Sequence, residues 1–436
     1  MSQLIDLLKK LITIDSINPF KAEKTNGSWI LGGNEIEINS YLKEVLEKNG
    51  FKTEKQFVHR DSNGVDHYNI LAEKGEGRRS ILFYSHTDTV TANPWLSKEE
   101  ALTPNISKMD LYGEETEIIV GLGSNDMKAG AAIICDSFKN LNPKEYKIKV
   151  ALGVDEEFYS LGSNILAKSN FMEDVEAIIV PEIGDGPNKF KGGSTICIGR
   201  CGRCELVIDI FGTGGHGAIS YDPTFINAAH EASKVVIELE KLRKSYNDSF
   251  RFYSGEVPDG KSTNIIKGSF FVSKIDAGDG TLSIPSKAKI VLDFTLTPNR
   301  TIEDSKVIIE NLIDEMYASE KLKKVYISGK FKKAKVSFRE RPTPFSNGYL
   351  TGENHKFTKF VKAIVEKEVG FFNYNMGYSV ADENVFRRFN PKIPVIVLGP
   401  IGWNSHKADE WVSIKSVEDL QRVYKTIAEN FGDYKE

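Results

Sequence analysis

The stretch SILFYSHTDTV, residues 80–90, decides the fold of this chain. Its apolar run, Ile81 to Tyr84, is typical of a strand buried inside a sheet, and it passes directly into a short polar segment. His86 and Asp88 stand two residues apart, so on an extended backbone their side chains leave the same face. A carboxylate beside an imidazole can fix the tautomer of the ring while the other ring nitrogen faces a metal or a proton. Taken alone, this pair has an alternative interpretation, in which the two residues simply lie in an ordinary loop at the end of a strand and have no functional role.

Ligand-type side chains recur where other predicted strands end. The run Tyr146–Val154 reads as a second buried strand and ends in the acidic triplet DEE, residues 155–157. A short strand at Ala177–Val180 is followed by Pro-Glu, and a further strand near the C-terminus precedes a loop that contains a histidine. Strands that alternate with helices predict an α/β fold with a largely parallel sheet, in which the strand ends share one rim. The residues that we expect on this rim besides His86 and Asp88 are Asp126, Glu156, Glu157, Glu182 and His406.

The glycines of GLGSNDMK, residues 121–128, also suit a dinucleotide-binding loop. The context argues against it, because no apolar strand is predicted to run directly into the glycines. Asp126 would also stand where a phosphate needs amide donors. A dinucleotide-dependent oxidoreductase is therefore the least favoured enzyme class.

The totals describe a soluble globular protein of about two domains. The chain has 436 residues, of which 40% are hydrophobic and 27% charged, and its net charge is −4 with both signs scattered. This balance points to neither nucleic acid nor an anionic membrane as a partner. Residues 1–13 read as an amphipathic helix without the features of a signal peptide, and no run reaches membrane-spanning length, so a cytoplasmic location is expected.

Three of the four cysteines, Cys197, Cys201 and Cys204, have the C-x3-C-x2-C spacing that some iron–sulfur enzymes use. They lie where a turn runs into an alternating strand, and free cysteine is among the most buried residue types. We therefore interpret them as small buried thiols and expect an iron assay to find no iron.

The pattern of the chain changes near residue 200. The predicted order β-α-β-β-α-β, with alternating apolar and polar strand residues, indicates a ferredoxin-like α+β unit of about 135 residues. The α/β pattern returns after the linker RPTP, residues 341–344. We predict the first part of a catalytic domain over residues 1–202, an inserted domain over 203–340 and the second part of the catalytic domain over 341–436.

Two histidines and several carboxylates form a mixed nitrogen and oxygen ligand set. Such a set suits Zn²⁺, or Co²⁺ or Mn²⁺ in its place. His86, Asp126, Glu157, Glu182 and His406 make five ligands, which is more than one open catalytic zinc needs. Two ions that share one carboxylate account for the number, and Asp126 is the natural bridging residue.

With these residues in place, the chain resembles the two-zinc family of aminoacylases, carboxypeptidases, acetylornithine deacetylases and succinyl-diaminopimelate desuccinylases. The resemblance implies a zinc-peptidase-like catalytic domain and an inserted domain that serves as lid and dimerisation domain. It also implies a metal-dependent hydrolase that cleaves the amide bond of a small N-acyl amino acid or of a peptide C-terminus. The matching stretches, which follow the family's order, are SHTDTV (85–90), GSNDMKAG (123–130), VDEEFYSLGS (154–163), VPE (180–182), GTGGHGA (212–218), TNIIKG (263–268) and NSHKADEWV (404–412).

Carried over position by position, the resemblance implies that His86 and Glu182 hold one zinc, Glu157 and His406 the other, and that Asp126 bridges the two ions. It also implies a cis peptide bond after Asp126.

The resemblance further implies that Asp88 orients His86 and that Glu156 is the general base toward a bridging metal-bound water. The reverse assignment, with Glu156 as ligand and Glu157 as base, stays open.

His216 and Asn264 complete the implied site. By resemblance, His216 reaches the active site of a partner subunit and stabilises the oxyanion, and Asn264 grips the substrate. This implies a homodimer formed through the inserted domain.

The chain departs from the family pattern where a substrate carboxylate is often held. Thr295 stands where the family often has an arginine, and the segment 378–383 lacks the expected Gly-Gly-Thr and arginine. Arg300 or Arg387 are the candidates to replace them.

Three functions follow from this reading. The first is a two-metal amidohydrolase that removes an N-acyl group or a C-terminal residue, and Glu182, rather than an Asp, favours this side of the family. The second is a di- or tripeptidase with the same chemistry. The third is a metal-binding homologue that has lost catalysis, against which the intact DEE triplet argues.

Overall fold

The computed structural model describes residues 2–111, 113–182, 194–255 and 263–435. Its main feature is a nine-stranded sheet with four parallel strands at its centre, which confirms the predicted α/β architecture. All seven residues of Ser80–His86 are buried. The four central strands, in spatial order, are Lys147–Gly153, Ser80–His86, Val175–Val180 and Val395–Val397.

The outer strands of this sheet are mostly antiparallel. Beyond Lys147–Gly153 lie Asp66–Gly75 and then Lys52–Arg60. Beyond Val395–Val397 lie Ser194–Arg200 and Tyr349–Leu350, and Phe371–Gly377 pairs in parallel with Ser194–Arg200.

Helices cover both faces of the sheet, because the apolar side chains of the central strands alternate between the faces. Phe83 packs on Tyr424 of one helical layer, with ring centroids 5.4 Å apart, and Tyr84 packs on Phe386 of the other, at 4.9 Å. The helices of the first layer are Gln3–Thr13, Ile36–Lys48, Ala129–Asp136, Lys356–Glu368 and Ile414–Asn430, and those of the second are Leu161–Leu166 and Asp382–Phe389.

A separate four-stranded antiparallel sheet lies in the middle of the chain, with its own apolar core. Its strand order in space is 2-3-1-4 relative to the chain, and two helices follow the first and third strands, which is the ferredoxin-like arrangement. The exact limits of the inserted domain, 203–340, stay a prediction. The strands in chain order are Gly202–Phe211, Ser269–Ala277, Lys287–Leu296 and Lys335–Phe338, and the helices are Ala228–Ser245 and Ile302–Ala318.

The expectation that no strand runs directly into the glycines of residues 121–128 is wrong. The strand Glu114–Val120 ends immediately before Gly121. Its residues Ile118 and Ile119 are buried in a small antiparallel sheet, not in the parallel one. This sheet contains Gly402–Trp403, Trp411–Ser413, Glu114–Val120 and Asn105–Leu111, in that order.

The remaining elements are short. Strand pairs are formed by Ala22–Thr25 with Ser28–Leu31, Gly215–His216 with Ser283–Ile284, Ser249–Tyr253 with Thr263–Lys267, and Tyr326–Ile327 with Lys330–Phe331. Short helical turns occupy Lys98–Ala101, Ser124–Lys128, Asn170–Met172, Gly217–Ile219 and Phe431–Asp433. In the described part of the chain, no helix combines the length and the apolar character that crossing a bilayer requires.

Candidate metal centre

The candidate ligands come from the ends of the central strands and from two loops beside them. His86 is the last residue of its strand, and the acidic triplet 155–157 and Glu182 follow the two neighbouring strands. Asp126 lies just before the helix Ala129–Asp136, and His406 lies in the turn between the last two strands of the small sheet. Because parallel strands end at one edge of a sheet, residues far apart in sequence meet there.

Asp126 lies between the two histidines. Its Oδ1 is 3.2 Å from Nε2 of His86, and its Oδ2 is 3.2 Å from Nε2 of His406. Each carboxylate oxygen therefore faces a different imidazole, which is the arrangement that a carboxylate shared by two cations requires.

One further carboxylate completes each half of the site. Glu182 Oε2 lies 3.5 Å from Nε2 of His86, and Glu157 Oε2 lies 3.3 Å from Nε2 of His406. Two groups of three could thus hold a metal ion, His86 with Asp126 and Glu182, and Asp126 with Glu157 and His406. A third group, His86 with Glu156 and Glu157, keeps the alternative assignment of the two glutamates open.

The charges of the site favour a bound cation. Burial and the neighbouring Asp126 raise the pKa of Glu157 to about 7, and its Oε1 is buried without a hydrogen-bond partner among the described residues. Burial also raises the pKa of Glu156 well above its usual value. Hydrogen bonds with Asp126 and Glu157 raise the pKa of His406 to about 11. Without a cation, the carboxylates of this site favour bound protons. The nitrogen and oxygen donors, together with the unpartnered Oε1 of Glu157, therefore fit a divalent metal ion.

Asp88 holds both His86 and the acidic triplet. Nδ1 of His86 lies 3.1 Å from the backbone carbonyl of Asp88 and 3.4 Å from its Oδ1, which leaves Nε2 to face Asp126. The backbone N–H groups of Glu156 and Glu157 each donate to the Asp88 carboxylate, at 3.1 Å. Asn18 Nδ2 donates to it at 2.9 Å. This geometry supports an orienting role for Asp88.

Glu410, which the sequence reasoning did not single out, holds the loop before Asp126. The fully buried carboxylate accepts hydrogen bonds from the backbone N–H groups of Gly123, Asn125 and Asp126, each at 2.8 Å. Burial and the charge of Asp126 raise the pKa of Glu410 to about 8, and the three N–H donors act in the opposite direction. The only sequence signal for Glu410 was its position in the matching stretch 404–412. The peptide bond that it helps to hold, between Asp126 and Met127, is cis, as expected.

A cavity of about 400 Å³ opens over the carboxylates. Arg300 and Arg387, the candidates for holding a substrate carboxylate, do not line it. Arg300 lies over the ring of Tyr246, and Arg387 donates to backbone carbonyls. The residues that do line it are Asp126, Glu156, Glu157, Phe158, Ser160, Glu182, Arg200, Arg203, Arg341, Ser379, Val380, Ala381, Ser405 and His406.

His216 and Asn264 lie apart from this cavity in the single chain. His216 is exposed in the short strand Gly215–His216, where its Nδ1 accepts from the backbone N–H of Ala218. Asn264 is exposed in the strand Thr263–Lys267. Their predicted roles depend on a second subunit and stay predictions.

Comparisons with known proteins found relatives along nearly the whole chain. The profile of peptidase family M20/M25/M40 matches residues 82–430. The succinyl-diaminopimelate desuccinylase of Pelagibacter ubique is 24% identical over 436 residues, with 98% of each chain covered. The acetylornithine deacetylase of Photorhabdus laumondii is 24% identical over 436 residues, with 98% of this chain and 97% of the relative covered. A tripeptidase from Staphylococcus aureus shares the fold, with a TM-score of 0.65, 17% identity and 98% of each chain covered.

Proposed function

The chain belongs to peptidase family M20/M25/M40 and is a metal-dependent hydrolase, and from this premise we propose that it cleaves the amide bond of a small N-acyl amino acid or of a peptide C-terminus. The observation that carries the proposal is the position of Asp126, with one carboxylate oxygen facing each of two histidines. A di- or tripeptidase with the same chemistry is the second candidate, which the shared fold of the tripeptidase favours.

The proposed cofactors are two Zn²⁺ ions, with Co²⁺ or Mn²⁺ as replacements. His86 and Glu182 would hold one ion, Glu157 and His406 the other, and Asp126 both. When bound, two such ions lower the pKa of a water nucleophile and polarise the scissile carbonyl.

Glu156 is the proposed general base. Its side chain lines the cavity beside Glu157 and Glu182, and burial raises its pKa well above the usual value for a glutamate. A carboxylate in such a position takes the proton of the attacking water and passes it to the leaving nitrogen. The charge of Asp382, whose carboxylate accepts a hydrogen bond from the Tyr84 hydroxyl, contributes to the raised pKa of Glu156.

The test compares Glu156→Gln with Glu157→Gln in protein loaded with Zn²⁺. We expect Glu156→Gln to keep both metals and to lower kcat by at least about 100-fold, because a neutral amide cannot accept the proton. We expect Glu157→Gln to lower the metal content as well, since it replaces a ligand. Substantial turnover by Glu156→Gln, or loss of metal from that variant alone, would show that the two roles are exchanged or wrong.

A substrate panel separates deacylase from peptidase activity. The panel consists of N-acetyl-L-ornithine, N-acetyl-L-methionine, N-succinyl-L,L-diaminopimelate, Ala-Ala and Ala-Ala-Ala, each assayed before and after chelation. Cleavage of the N-acyl compounds supports a deacylase, whereas cleavage of the peptides alone supports a peptidase, either one that releases the C-terminal residue or the di- or tripeptidase of the second candidate. Metal binding with no cleavage of any compound would revive the non-catalytic alternative.

We also propose that the chain forms a homodimer through the inserted domain, residues 203–340. In this dimer, His216 stabilises the oxyanion in the partner's site and Asn264 grips the substrate there. Exposure of both side chains supports the proposal, since a residue that acts on a partner is accessible in the single chain. A fully active monomer in analytical ultracentrifugation would contradict it. The proposed location is the cytoplasm, which cell fractionation tests.

A further inference from the structure

The side chain of Asn18 is buried where three segments of the main domain meet. Its Nδ2 lies 2.9 Å from Oδ2 of Asp88 and 3.2 Å from Oδ1 of Asp155. All three residues are at most 1% exposed. One NH₂ group, from the segment after the first helix, therefore donates to two buried carboxylates. The first follows the central strand that ends in His86, and the second begins the acidic triplet.

The backbone around Asn18 fixes the orientation of its amide. The backbone N–H of Phe20 donates to Oδ1 of Asn18 at 2.9 Å, and such a donor pairs with the amide oxygen and not with the amide nitrogen. The backbone N–H of Asn18 donates to the carbonyl of Thr89 at 2.8 Å, which holds the residue to the segment that carries Asp88. The NH₂ group is thus aimed at the two carboxylates by contacts that do not involve them.

The two carboxylates hold the loop that contains both catalytic glutamates. Asp88 accepts from the backbone N–H groups of Glu156 and Glu157, each at 3.1 Å. Oδ2 of Asp155 accepts from the backbone N–H of Leu161 at 3.3 Å, which ties the two ends of this loop together. The oxygens that face the shared amide are acceptors, and two buried acceptors with no donor between them are unfavourable. The amide therefore joins two parts of one support.

We propose that Asn18 is a positioning residue for the acidic triplet: by joining Asp88 to Asp155, it sets where the carboxylates of Glu156 and Glu157 stand at the metal centre. The inference rests on the proposed function, in which Glu157 holds a metal ion and Glu156 takes a proton. Asn18 is not among the described residues that line the cavity, so its effect passes through the two aspartates. Loss of a partner that orients a metal ligand from behind costs about 10- to 100-fold in metal affinity or activity.

The experiment compares Asn18→Asp with Asn18→Ala. Asn18→Asp keeps the shape of the side chain and the oxygen that accepts from Phe20, but it turns the shared donor into an acceptor that faces two carboxylates. Asn18→Ala removes the side-chain contacts and leaves room for water. We expect Asn18→Asp to lower both the affinity for Zn²⁺ and kcat at saturating Zn²⁺ by about 100-fold, and Asn18→Ala to lower each by about tenfold. KM should change by less than about threefold, since the interaction lies outside the cavity.

The order of the two variants separates positioning from packing. If Asn18 only filled space, the isosteric aspartate would be tolerated better than alanine, and that order in zinc affinity and kcat would overturn the proposal. Asn49→Asp is the control, since Nδ2 of this half-buried asparagine likewise donates at 2.8 Å, to the backbone carbonyl of Cys135. We expect it to lower the free energy of unfolding in urea but to leave zinc affinity and kcat within about twofold.

Two further measurements make every outcome informative. Circular dichroism checks the fold of each variant, and competition with a zinc chelator measures affinity without substrate. Should Asn18→Asp fail to fold, Asn18→Ala decides: a tenfold loss of zinc affinity supports the proposal, and values within about twofold of the wild type overturn it. A wild type that binds no Zn²⁺ or cleaves no compound of the panel would overturn the proposed function as well, whereas an active wild type with unaffected Asn18 variants would overturn this inference alone.

Discussion

Replacing Glu410 by Gln tests whether this buried carboxylate holds the loop before Asp126. The side chain accepts three backbone N–H groups at 2.8 Å, two through Oε1 from Asn125 and Asp126 and one through Oε2 from Gly123. A glutamine presents one oxygen and one NH₂ group to the same three donors. If its oxygen keeps the two bonds of Oε1, the NH₂ group faces the N–H of Gly123.

The expected loss follows from these contacts. A buried donor left without an acceptor costs about 1–3 kcal/mol, and the two remaining bonds lose the roughly twofold strength that a charged acceptor provides. We therefore expect Glu410→Gln to lower the free energy of unfolding by about 2–4 kcal/mol at about pH 9, where the wild-type Glu410, whose pKa is raised to about 8, is ionised. Because the loop carries Asp126, we also expect the affinity for Zn²⁺ to fall by about 10- to 100-fold.

Urea denaturation of the metal-free protein measures the first effect, and competition with a zinc chelator measures the second. Glu429→Gln is the control, since its side chain is exposed and its carboxylate lies 3.7 Å from Lys425, and we expect a change within about 0.5 kcal/mol. If Glu410→Gln unfolds like the wild type and binds Zn²⁺ equally well, the reasoning about this loop is refuted.

Two further predictions concern other parts of the main domain. Gly130→Ala should lower the free energy of unfolding by about 1–3 kcal/mol and weaken Zn²⁺ binding. The reason is that the added Cβ would lie 2.4 Å from the backbone oxygen of Pro181, the residue before Glu182. Urea denaturation measures the first effect and zinc titration the second. His59→Phe should reduce the decrease in the free energy of unfolding that occurs when the pH falls from 6.5 to 4. Burial lowers the pKa of His59 to about 4, so in this range the unfolded chain binds more protons and the folded state loses stability as the pH falls.

Two outcomes would contradict these predictions. Unchanged zinc affinity in Gly130→Ala would mean that Pro181 moves without displacing Glu182. For His59→Phe, the comparison is the difference in unfolding free energy between pH 6.5 and 4, measured for variant and wild type by urea denaturation. Equal differences would show that His59 does not titrate as its burial requires.

The order of elements along the chain was predictable because it rests on local patterns. The apolar run Ile81 to Tyr84 indicated a buried strand, and Phe83 and Tyr84 do pack on opposite helical layers. The rule that parallel strands share one edge was enough to expect His86, Glu157 and Glu182 near each other. The β-α-β-β-α-β order likewise predicted the ferredoxin-like sheet.

Other features had no local signal. Glu410 is 287 residues from Gly123, to which it accepts a hydrogen bond, and nothing in its neighbourhood distinguishes it from a solvated glutamate. The strand Glu114–Val120 gave no clear apolar pattern, since its first four residues are polar and only Ile118 and Ile119 are buried. Arg300 and Arg387 could not be excluded as carboxylate ligands from the sequence, because which arginines line the cavity depends on the packing of segments far apart along the chain.

By itself the sequence determined which residue types stand at the strand ends, and with them a mixed nitrogen and oxygen ligand set. This was possible because hydrophobic periodicity and strand direction depend on neighbouring residues. Only the tertiary structure decided how Asp126 divides its two oxygens between His86 and His406, and which arginines line the cavity over the carboxylates. Both depend on contacts between segments that are not neighbours along the chain, where burial and pairing, rather than local propensity, set the free energy.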